Sequence, residues 1–345
     1  MSAKIRVGIV GFGYMGEIRY RNVTEHPEME LVGICDPDRE AEIAAKNIAV
    51  YKTWKELIDA AVDAVIVCTP NFAIPEIAVY AMDHGRHVFC EKPPGRNYAD
   101  IQLIRAAELR NPQVKLIFGF NHRHHPGITD AKAIIESGSL GEILTLRGVY
   151  GKGGGYDYHT SWRNDERISG GGILLDQGIH MLDLFRYFVG DFSEVQGMRG
   201  ITAFDVEVED NAIVILRTPQ GQLAQLHSSA TSWKHIFRLE IGCSKGYAII
   251  SGLLSKTGSY GRETLVIGRR PARNERIAVG NPREETSYYD HDPSWNIEIA
   301  HFAECIINDT PIEKGNSIDA LKVMEIIDTV YKQPIVQMDK IQREK

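Results

Sequence analysis

Asp176 and His180 lie four residues apart in the run 170–183, which reads GGGILLDQGIHMLD. If this run is helical from Leu174 onward, the carboxylate and the imidazole share one face, and Asp183 follows on nearly the same side. Histidine is the side chain best suited to proton transfer near neutral pH, so the pair predicts acid–base chemistry. The alternative is an aspartate that caps a helix and a histidine that is satisfied within the core.

Lys92 is a second candidate for chemistry, in the sequence Glu91-Lys92-Pro93-Pro94 that follows a short apolar run. A lysine that is partly desolvated in a crevice is a usable acid and can hydrogen-bond to a substrate oxygen. The tandem prolines restrict the backbone and are compatible with a cis bond. Taken alone, however, a lysine in such a sequence is more often a solvated loop residue.

The strongest local motif is a G-x-G-x-x-G that follows the predicted strand Ile5–Val10 and opens a helical stretch. Its glycines allow a tight turn, close approach of the backbone to a pyrophosphate, and packing of helix on strand. The helix N-terminus offers unpaired N–H groups to the phosphates. Asp36 ends the next strand, where a carboxylate would hold the ribose hydroxyls of an adenosine. The pattern predicts that a dinucleotide binds to Gly11, Phe12, Gly13, Tyr14, Met15, Gly16 and Asp36.

Two further observations bear on the cofactor. A carboxylate at Asp36 repels a 2′-phosphate, so NAD is favoured over NADP, and Arg39 either softens that preference or is an ordinary solvated helix residue. Thr69, Pro70 and Asn71 follow the predicted strand Ala64–Cys68, at the edge where open α/β sheets bind ligands. We predict that these three residues contact the cofactor; the alternative is a turn before a helix.

These residues need a scaffold, and the first 120 residues alternate short apolar runs with segments of helical spacing. This alternation is typical of parallel strands with crossover helices. The predicted strands are Ile5–Val10, Leu31–Cys35, Ala64–Cys68, His87–Cys90 and Leu116–Phe120, and the predicted helices are Asp38–Asn47, Trp54–Ala61, Pro75–His84 and Tyr98–Leu109.

From Asn121 onward, strands dominate after one helix at Ile128–Glu136, which is typical of a mostly antiparallel sheet. Two late helices are indicated by the shared faces of Trp295 to Ile306 and of Leu321 to Ile327. We predict an α/β dinucleotide-binding domain over 1–121 and an α+β domain over 122–345. The strands predicted in the second are Ile143–Tyr150, Asn211–Arg217, Leu223–Ser228, Phe237–Gly242 and Tyr247–Ser251.

Composition restricts the class of protein. The 345 residues carry 39 basic and 46 acidic side chains, a net charge of −7, which disfavours a protein that coats nucleic acid or an anionic membrane. No apolar run approaches the roughly 20 residues of a membrane helix. Five scattered cysteines without C-x-x-C spacing disfavour disulfide scaffolds and zinc ribbons. We therefore predict a soluble cytoplasmic protein, and no second ligand pair supports a metal site.

The motifs GFGYMG, CTPN, EKPP and GGGILLDQGIHMLD together resemble the glucose–fructose oxidoreductase / inositol dehydrogenase / MocA family along essentially the whole chain. The resemblance implies an N-terminal Rossmann domain, with its doubly wound parallel sheet, and a C-terminal domain with a large, open, mainly antiparallel sheet. In the family that sheet usually builds dimers or tetramers, so we expect a homodimer or a homotetramer.

The resemblance also implies roles for individual residues. Lys92, Asp176 and His180 match the catalytic lysine, acid and histidine. Glu91, Asn121, Trp162 and Arg163 fall in segments near the cofactor, and Arg123 and Arg163 join the catalytic residues in binding substrate. The departure is the run HRHH, where many members carry an aromatic residue after the arginine (His122, Arg123, His124 and His125).

The predicted activity is reversible hydride transfer between NAD and a secondary alcohol or ketone of a sugar, cyclic polyol or nucleotide sugar. A redox-assisted glycosidase and a non-catalytic dinucleotide sensor stay open as alternatives. The substrate, the carbon oxidised and the direction are not determined. Two regions have two interpretations each. The loop with Tyr156, Tyr158 and His159 either shapes a pocket or is only a mobile connection. The arginines between 262 and 283 either bind a phosphate or belong to a solvated loop or a subunit contact (Arg262, Arg269, Arg270, Arg273, Arg276 and Arg283).

Overall fold

The computed structural model describes residues 4–155, 157–255, 257–270 and 282–338. The chain forms two compact units. The N-terminal unit comprises Met1–Asn121, Arg167–Gly170 and Ser294–Met324, and the C-terminal unit comprises His122–Glu166, Gly171–Pro293 and Glu325–Lys345.

The helices are numbered in chain order. They are α1 (Tyr14–Glu25), α2 (Glu40–Ala45), α3 (Trp54–Asp59), α4 (Ile74–Asp83), α5 (Tyr98–Arg110), α6 (Pro126–Glu136), α7 (Glu166–Ser169), α8 (Ile179–Val189), α9 (Ser294–Ile307) and α10 (Ser317–Tyr331). Among the described residues, no helix is both long enough and apolar enough to cross a membrane.

The strands are numbered in the same way. They are β1 (Ile5–Val10), β2 (Met29–Cys35), β3 (Ala64–Val67), β4 (His87–Cys90), β5 (Leu116–Phe118), β6 (Ile143–Gly153), β7 (Glu194–Ile201), β8 (Asn211–Arg217), β9 (Leu223–Ser229), β10 (Thr231–Cys243), β11 (Gly246–Ser251), β12 (Glu263–Arg269), β13 (Glu284–Tyr289) and β14 (Ile335–Gln337).

The N-terminal unit contains a five-stranded sheet in the order β2-β1-β3-β4-β5, and every neighbouring pair is parallel. The predicted parallel sheet is confirmed. All four residues of strand β3 are buried, as expected for a strand covered by helices on both faces. Such a strand has a continuous apolar sequence, which is why it could be predicted. The predicted helix at 38–47 is shorter and ends at Ala45, close to Asn47, which adopts a left-handed conformation with φ 57°.

Helix α9 belongs to the N-terminal unit, which corrects the predicted division into 1–121 and 122–345. Ile299, Phe302 and Ala303 lie in the same apolar core as Ile9. The rings of Phe302 and Phe89 meet edge to face, with 5.9 Å between their centroids. Burial of this apolar helix face therefore draws a segment from late in the chain into the first core.

The C-terminal unit contains a nine-stranded sheet in the order β13-β12-β11-β10-β6-β9-β8-β7-β14. The pairs β6–β9 and β14–β7 are parallel and the others are antiparallel, which confirms the predicted mainly antiparallel sheet. Alternate residues of β8 are buried, so one face of the sheet lies in the core. Helix α8 packs on this face at Gly148, where an added Cβ would lie 2.5 Å from the Met181 side chain.

Candidate functional site

The glycine turn, Gly11–Gly16, joins β1 to α1 through backbone geometry that only glycine tolerates at two positions. Gly11 has φ +92°, and a Cβ there would lie 2.6 Å from the carbonyl oxygen of Cys68. A Cβ on Gly16 would lie 2.2 Å from the Gly11 carbonyl oxygen. The turn is therefore pressed against the end of β3, as a dinucleotide-binding turn requires.

Gly13 differs from its two neighbours, because among the described residues no atom lies within 4 Å of the position that its Cβ would take. It is also the N-cap residue of α1, where it offers no side chain to the N–H groups of the first turn. A helix N-terminus beside open space favours the binding of an anion. The glycine turn therefore fits the pyrophosphate of a dinucleotide.

Asp36 is attached directly to the glycine turn. Its Oδ2 accepts a hydrogen bond of 2.6 Å from the Phe12 N–H, and its Oδ1 accepts one of 3.0 Å from the Asp38 N–H. Arg39 Nε donates to Glu42 Oε2 over 2.6 Å, and its guanidinium also lies 3.5 Å from Glu17. The positive charge next to Asp36 is thus already balanced by two carboxylates.

The residues after β3 lie against the same turn. Cys68 N–H donates to the Val10 carbonyl over 2.7 Å, and Asn71 is buried and donates from Nδ2 to the Ser169 carbonyl over 2.7 Å. Thr69 Oγ1 is buried, and no described residue hydrogen-bonds to it. A buried hydroxyl of this kind is a second feature that fits a ligand at the edge of the sheet. Pro70 leads into the short 3₁₀ turn Asn71–Ala73.

Glu91 lies at the end of β4, but its carboxylate faces a buried arginine. Arg19 of α1 has no exposed surface and donates over 2.6 Å both to Glu91 and to Glu298 of α9. Burial alone would lower the pKa of Arg19, but the charges of Glu91 and Glu298 outweigh that effect and raise it. Glu91 thus serves as an anchor beneath Lys92, which is half-buried and joined to Pro93 by a cis peptide bond.

Asn121 follows β5 and is buried, and its Nδ2 donates to Ser294 Oγ over 3.1 Å. With Lys92 and Asn71 it completes the predicted cofactor residues that belong to the N-terminal unit. Arg19 is the residue of this unit that sequence reasoning missed. The available signal was a charged residue at position 19 in the middle of a helix that opens at a glycine turn.

The predicted acid–base segment of the C-terminal unit begins with a π turn, Leu174–Gly178, and continues as α8. The run is therefore helical from Leu174 onward, as the sequence analysis supposed, but its first turn is π-helical. π turns within helices occur frequently at functional sites. The predicted apolar stripe of Leu175, Ile179, Leu182 and Phe185 is buried.

Glu209 fixes the start of this segment. It is fully buried, and its carboxylate accepts hydrogen bonds of 3.1 Å from the N–H groups of Gly172 and Leu174 and one of 2.7 Å from the Tyr331 hydroxyl. A Cβ on Gly172 would lie 2.0 Å from the Glu209 carbonyl oxygen, so glycine is required for this approach. The sequence analysis missed Glu209, because nothing local links it to the glycines at 170–172.

Asp176 is held by donors from three directions. Lys152 Nζ at the end of β6 lies 3.1 Å from Oδ2, and Arg163 Nε lies 3.5 Å from Oδ1. Gln177 Nε2 also donates to Oδ2 over 3.0 Å. The Arg163 guanidinium lies 4.5 Å from the centre of the Trp162 ring. Arg163 and Asp176, both predicted site residues, thus come together, and Lys152 is an addition that the sequence analysis did not single out.

His180 is buried and lies face to face with His122, with ring centroids 3.7 Å apart and planes inclined by 14°. His122 Nε2 lies 3.0 Å from the Tyr150 hydroxyl. The Tyr150 and Tyr260 rings are 5.6 Å apart, and burial, with a further contribution from the Asp176 charge, raises the pKa of both phenols. We call His122, Tyr150, His180 and Tyr260 the imidazole–phenol cluster.

Arg123 does not extend from this cluster into open space. Both Arg123 and Asp183 are buried, and Nε and Nη2 of the arginine donate to the two carboxylate oxygens over 2.7 Å and 2.6 Å. The guanidinium of Arg123 therefore donates in parallel to both oxygens of a carboxylate of the same protein. The structure thus pairs the predicted site residue Arg123 with Asp183 of α8.

The remaining sequence features are only partly visible. Arg262 lies 2.6 Å from Asp290 and Arg269 lies 2.8 Å from Glu285, which favours the interpretation as a solvated, ion-paired surface. Arg273 and Arg276 lie outside the described residues, as does Tyr156. Tyr158 packs on Phe204 with 4.4 Å between ring centroids. No group of three or more potential metal ligands occurs within the described ranges.

Comparison with known proteins adds to this geometry. The model of an oxidoreductase family with an NAD-binding Rossmann fold matches residues 5–119, and the model of the GFO/IDH/MocA C-terminal domain matches residues 128–249. The chain belongs to the GFO/IDH/MocA family. It is 32% identical over 254 residues to the myo-inositol 2-dehydrogenase of Thermotoga maritima, covering 70% of this chain and 74% of that protein.

Other members show how varied the family is. The chain is 31% identical to the levoglucosan dehydrogenase of Pseudarthrobacter phenanthrenivorans over 209 residues, which is 56% of this chain but only 53% of that protein. It is 28% identical to the 2,7-anhydro-N-acetylneuraminate hydratase of Escherichia coli over 291 residues, 81% of this chain and 74% of that one.

Among solved structures, a levoglucosan dehydrogenase in complex with NADH superimposes with a TM-score of 0.83 at 23% identity, over 95% of this chain and 96% of that one. At this identity the likeness shows the fold.

Proposed function

We propose that the protein is an NAD-dependent oxidoreductase that transfers a hydride between the nicotinamide and a secondary alcohol or ketone of a sugar, cyclic polyol or nucleotide sugar. The observation that carries the proposal is the buried His180, next to an Asp176 held by two cations, in a chain that also contains a glycine turn open at Gly13. The inositol and levoglucosan dehydrogenases among the relatives support the substrate class.

In the proposed reaction the nicotinamide supplies the hydride chemistry, and the side chains handle the proton. His180 takes the proton of the substrate hydroxyl, and Lys92 hydrogen-bonds to the same oxygen and stabilises its alkoxide character. Asp176, fixed by Lys152, orients a neighbouring hydroxyl. The contribution of the glycine turn, Asp36, Thr69, Pro70, Asn71, Asn121, Trp162 and Arg163 is to position the cofactor and substrate.

The structure also supports a revision of two predicted roles. Glu91 is proposed as a structural anchor for Lys92, since Arg19 occupies its carboxylate. Arg123 is proposed to support the imidazole–phenol cluster through Asp183 instead of binding substrate. NAD is favoured over NADP because Asp36 lies at the turn and the nearby Arg39 is paired with Glu42 and Glu17.

The test is the absorbance of reduced nicotinamide when NAD⁺ is mixed with a panel of inositols, free sugars, sugar acids and nucleotide sugars. The wild type, Lys92→Met and a control, Lys46→Met, are compared, since Lys46 is exposed on the surface. We expect a signal that Lys92→Met reduces by about 100-fold or more with NADH affinity nearly unchanged, while the control behaves as wild type. Unchanged turnover in Lys92→Met would refute the role given to this residue.

A second candidate is a reaction in which NAD is reduced and reoxidised within one cycle, as in a redox-assisted glycosidase. The observation in its favour is the relative whose name is that of a hydratase, a reaction without net oxidation. Product formation without net change in nicotinamide absorbance would favour this candidate. The proposed sensor without catalysis is disfavoured by the presence of Lys92, Asp176 and His180, which a sensor does not need.

We also propose that the protein forms a homodimer or homotetramer through the C-terminal sheet. Met198 pairs with Ile213 across β7 and β8, and both are exposed on the face opposite the core, together with Ile215. Exposed apolar side chains that share one sheet face indicate a contact surface. Sedimentation equilibrium measures the mass: a single mass of one chain would exclude the assembly.

A further inference from the structure

The His122 ring has polar neighbours at both its face and its edge. One face lies 3.7 Å from the His180 ring, while Nε2 lies 3.0 Å from the Tyr150 hydroxyl. All three side chains are buried. Packing alone would be served better by apolar rings, since burying polar rings is favourable only when they are hydrogen-bonded.

We infer that Tyr150 and His122 are positioning residues for His180, with the Tyr150 hydroxyl fixing the His122 ring and that ring fixing the plane of His180. This inference rests on the proposed function, in which His180 moves the substrate proton. It adds two residues, neither of which the sequence analysis assigned to the site.

Two elements define the geometry of the contact. His122 lies in the 3₁₀ turn Asn121–His124, whose Arg123 is held by Asp183 of α8. Tyr150 lies on β6, in register with Phe237 of β10, whose ring is perpendicular to that of Tyr150 at 5.3 Å. The 3₁₀ turn is thus tied to α8, the helix that carries His180, while β6 presents the hydroxyl. Between these elements the two imidazole rings stack with an inclination of 14°.

The chemical consequence concerns where a proton can go. In the proposed arrangement the Tyr150 hydroxyl is the donor in its 3.0 Å contact with Nε2 of His122, and burial, which raises the pKa of the phenol, keeps that proton on the oxygen. His122 is then the neutral tautomer with the proton on Nδ1. When His180 accepts a proton, it meets a neutral ring instead of a second positive charge. Tyr150 thereby directs the substrate proton to His180 and away from His122.

The charged and titratable groups around the two rings come from every neighbouring element. His125 of the adjoining turn lies 5.4 Å from His122 between ring centroids, and its Nδ1 is bonded to the buried Glu263 of β12. The others are Arg123, His124, Tyr150, Lys152, Arg163, Asp176, Asp183, His235 and Tyr260. Arg123 is paired with Asp183, and Asp176 is contacted by both Lys152 and Arg163.

The first test is kinetic and uses Tyr150→Phe. We expect kcat to fall about tenfold or more, with little change in the KM of the cofactor, because the substrate and cofactor contacts are retained. The acid limb of the kcat–pH profile should broaden from one proton to two, since His122 can then be protonated as well.

The matched control is Tyr289→Phe, which removes another hydroxyl of the same unit, one that donates to Asp130 over 2.6 Å. A second variant, His122→Phe, keeps a flat ring against His180 and should keep the one-proton limb. A kcat and a pH profile of Tyr150→Phe that equal those of the control would overturn the inference.

The second test does not depend on activity, so it separates this inference from the proposed function. The ¹⁵N chemical shifts of histidine-labelled protein report which ring nitrogen carries the proton, with His122→Phe used for assignment. We expect Nδ1–H for His122 in the wild type and loss of that preference in Tyr150→Phe. An Nε2–H tautomer in the wild type would overturn the inference, even if hydride transfer is observed. Absence of hydride transfer in the wild type would contradict the proposed function alone.

Discussion

The glycine turn and the imidazole–phenol cluster are built from different parts of the polypeptide. The turn spans six consecutive residues and presents backbone N–H groups, and the glycines are needed because side chains would collide at Gly11 and Gly16. The cluster joins His122, Tyr150, His180 and Tyr260, which lie on different segments and present side chains.

The difference shows how each region depends on the rest of the fold. A site made of backbone N–H groups needs only the correct local conformation and one close contact, between the end of β3 and Gly11. A side-chain site needs each segment fixed from beneath, which the Arg123–Asp183 pair and Glu209 do for the cluster. We therefore expect the cluster to be sensitive to distant buried charges and the glycine turn to be sensitive to single methyl groups.

The largest effect is expected from Asp183→Leu, which leaves Arg123 buried without its carboxylate. Removal of one partner of a buried ion pair costs about 3–5 kcal/mol, so the urea midpoint of the C-terminal unit should fall clearly. The double variant Arg123→Met/Asp183→Leu should recover most of this loss, because no uncompensated charge remains. Equal stability of the single variant and the wild type would show that the cluster does not depend on this pair.

Alanine substitutions in the glycine turn should distinguish strain of the protein backbone, expected at Gly11, from obstruction of the cofactor site, expected at Gly13. In Gly11→Ala the positive φ and the contact with Cys68 should cost about 1–3 kcal/mol of stability and abolish NADH binding. In Gly13→Ala no described atom is close, so stability should stay within about 0.5 kcal/mol, while the dissociation constant of NADH rises about tenfold. Thermal melting and NADH fluorescence measure the two quantities. Equal effects of both substitutions on stability would contradict the geometry of the turn.

Asp36→Ser tests whether a single side chain sets the cofactor preference at a site made mostly of backbone. Removal of the carboxylate ends the repulsion of a 2′-phosphate, so the ratio of kcat/KM for NADP to that for NAD should rise about tenfold. Serine retains an oxygen near the Phe12 N–H. The variant Asp38→Ser is the control, since only its N–H contacts the Asp36 side chain. No change in the ratio would mean that Asp36 does not determine cofactor choice.

The smallest effect is expected at Glu209. Burial raises the pKa of this carboxyl, against the opposing effect of its hydrogen bonds. The folded state then holds a proton that the unfolded chain has released, so the stability contributed falls as pH rises through the folded pKa. Glu209→Gln removes this titration, and its free energy of unfolding should decline less than that of wild type from about pH 4.5 upward. Parallel pH dependences of the two proteins would contradict the assignment.

The sequence predicted the glycine turn, Asp36 and the parallel sheet because each depends on neighbours along the chain. It also predicted Asp176 and His180, which share one short motif. It missed Tyr150, Lys152 and Glu209, because strand pairing and helix packing bring them to the motif from distant segments. The π turn was also missed, since the spacing of apolar residues in 174–185 fits an α-helix as well.

The position of Glu298 has a consequence for the time at which the N-terminal unit is complete. Arg19 and Glu298 are separated by 279 residues. At a synthesis rate of about 5–20 residues per second, the arginine waits roughly 14–56 s for its second carboxylate. Until α9 has been synthesised, Phe302 cannot pack on Phe89 and Arg19 lacks its second carboxylate. The N-terminal unit therefore reaches its complete structure only after strands β6 to β13 of the C-terminal unit have been synthesised.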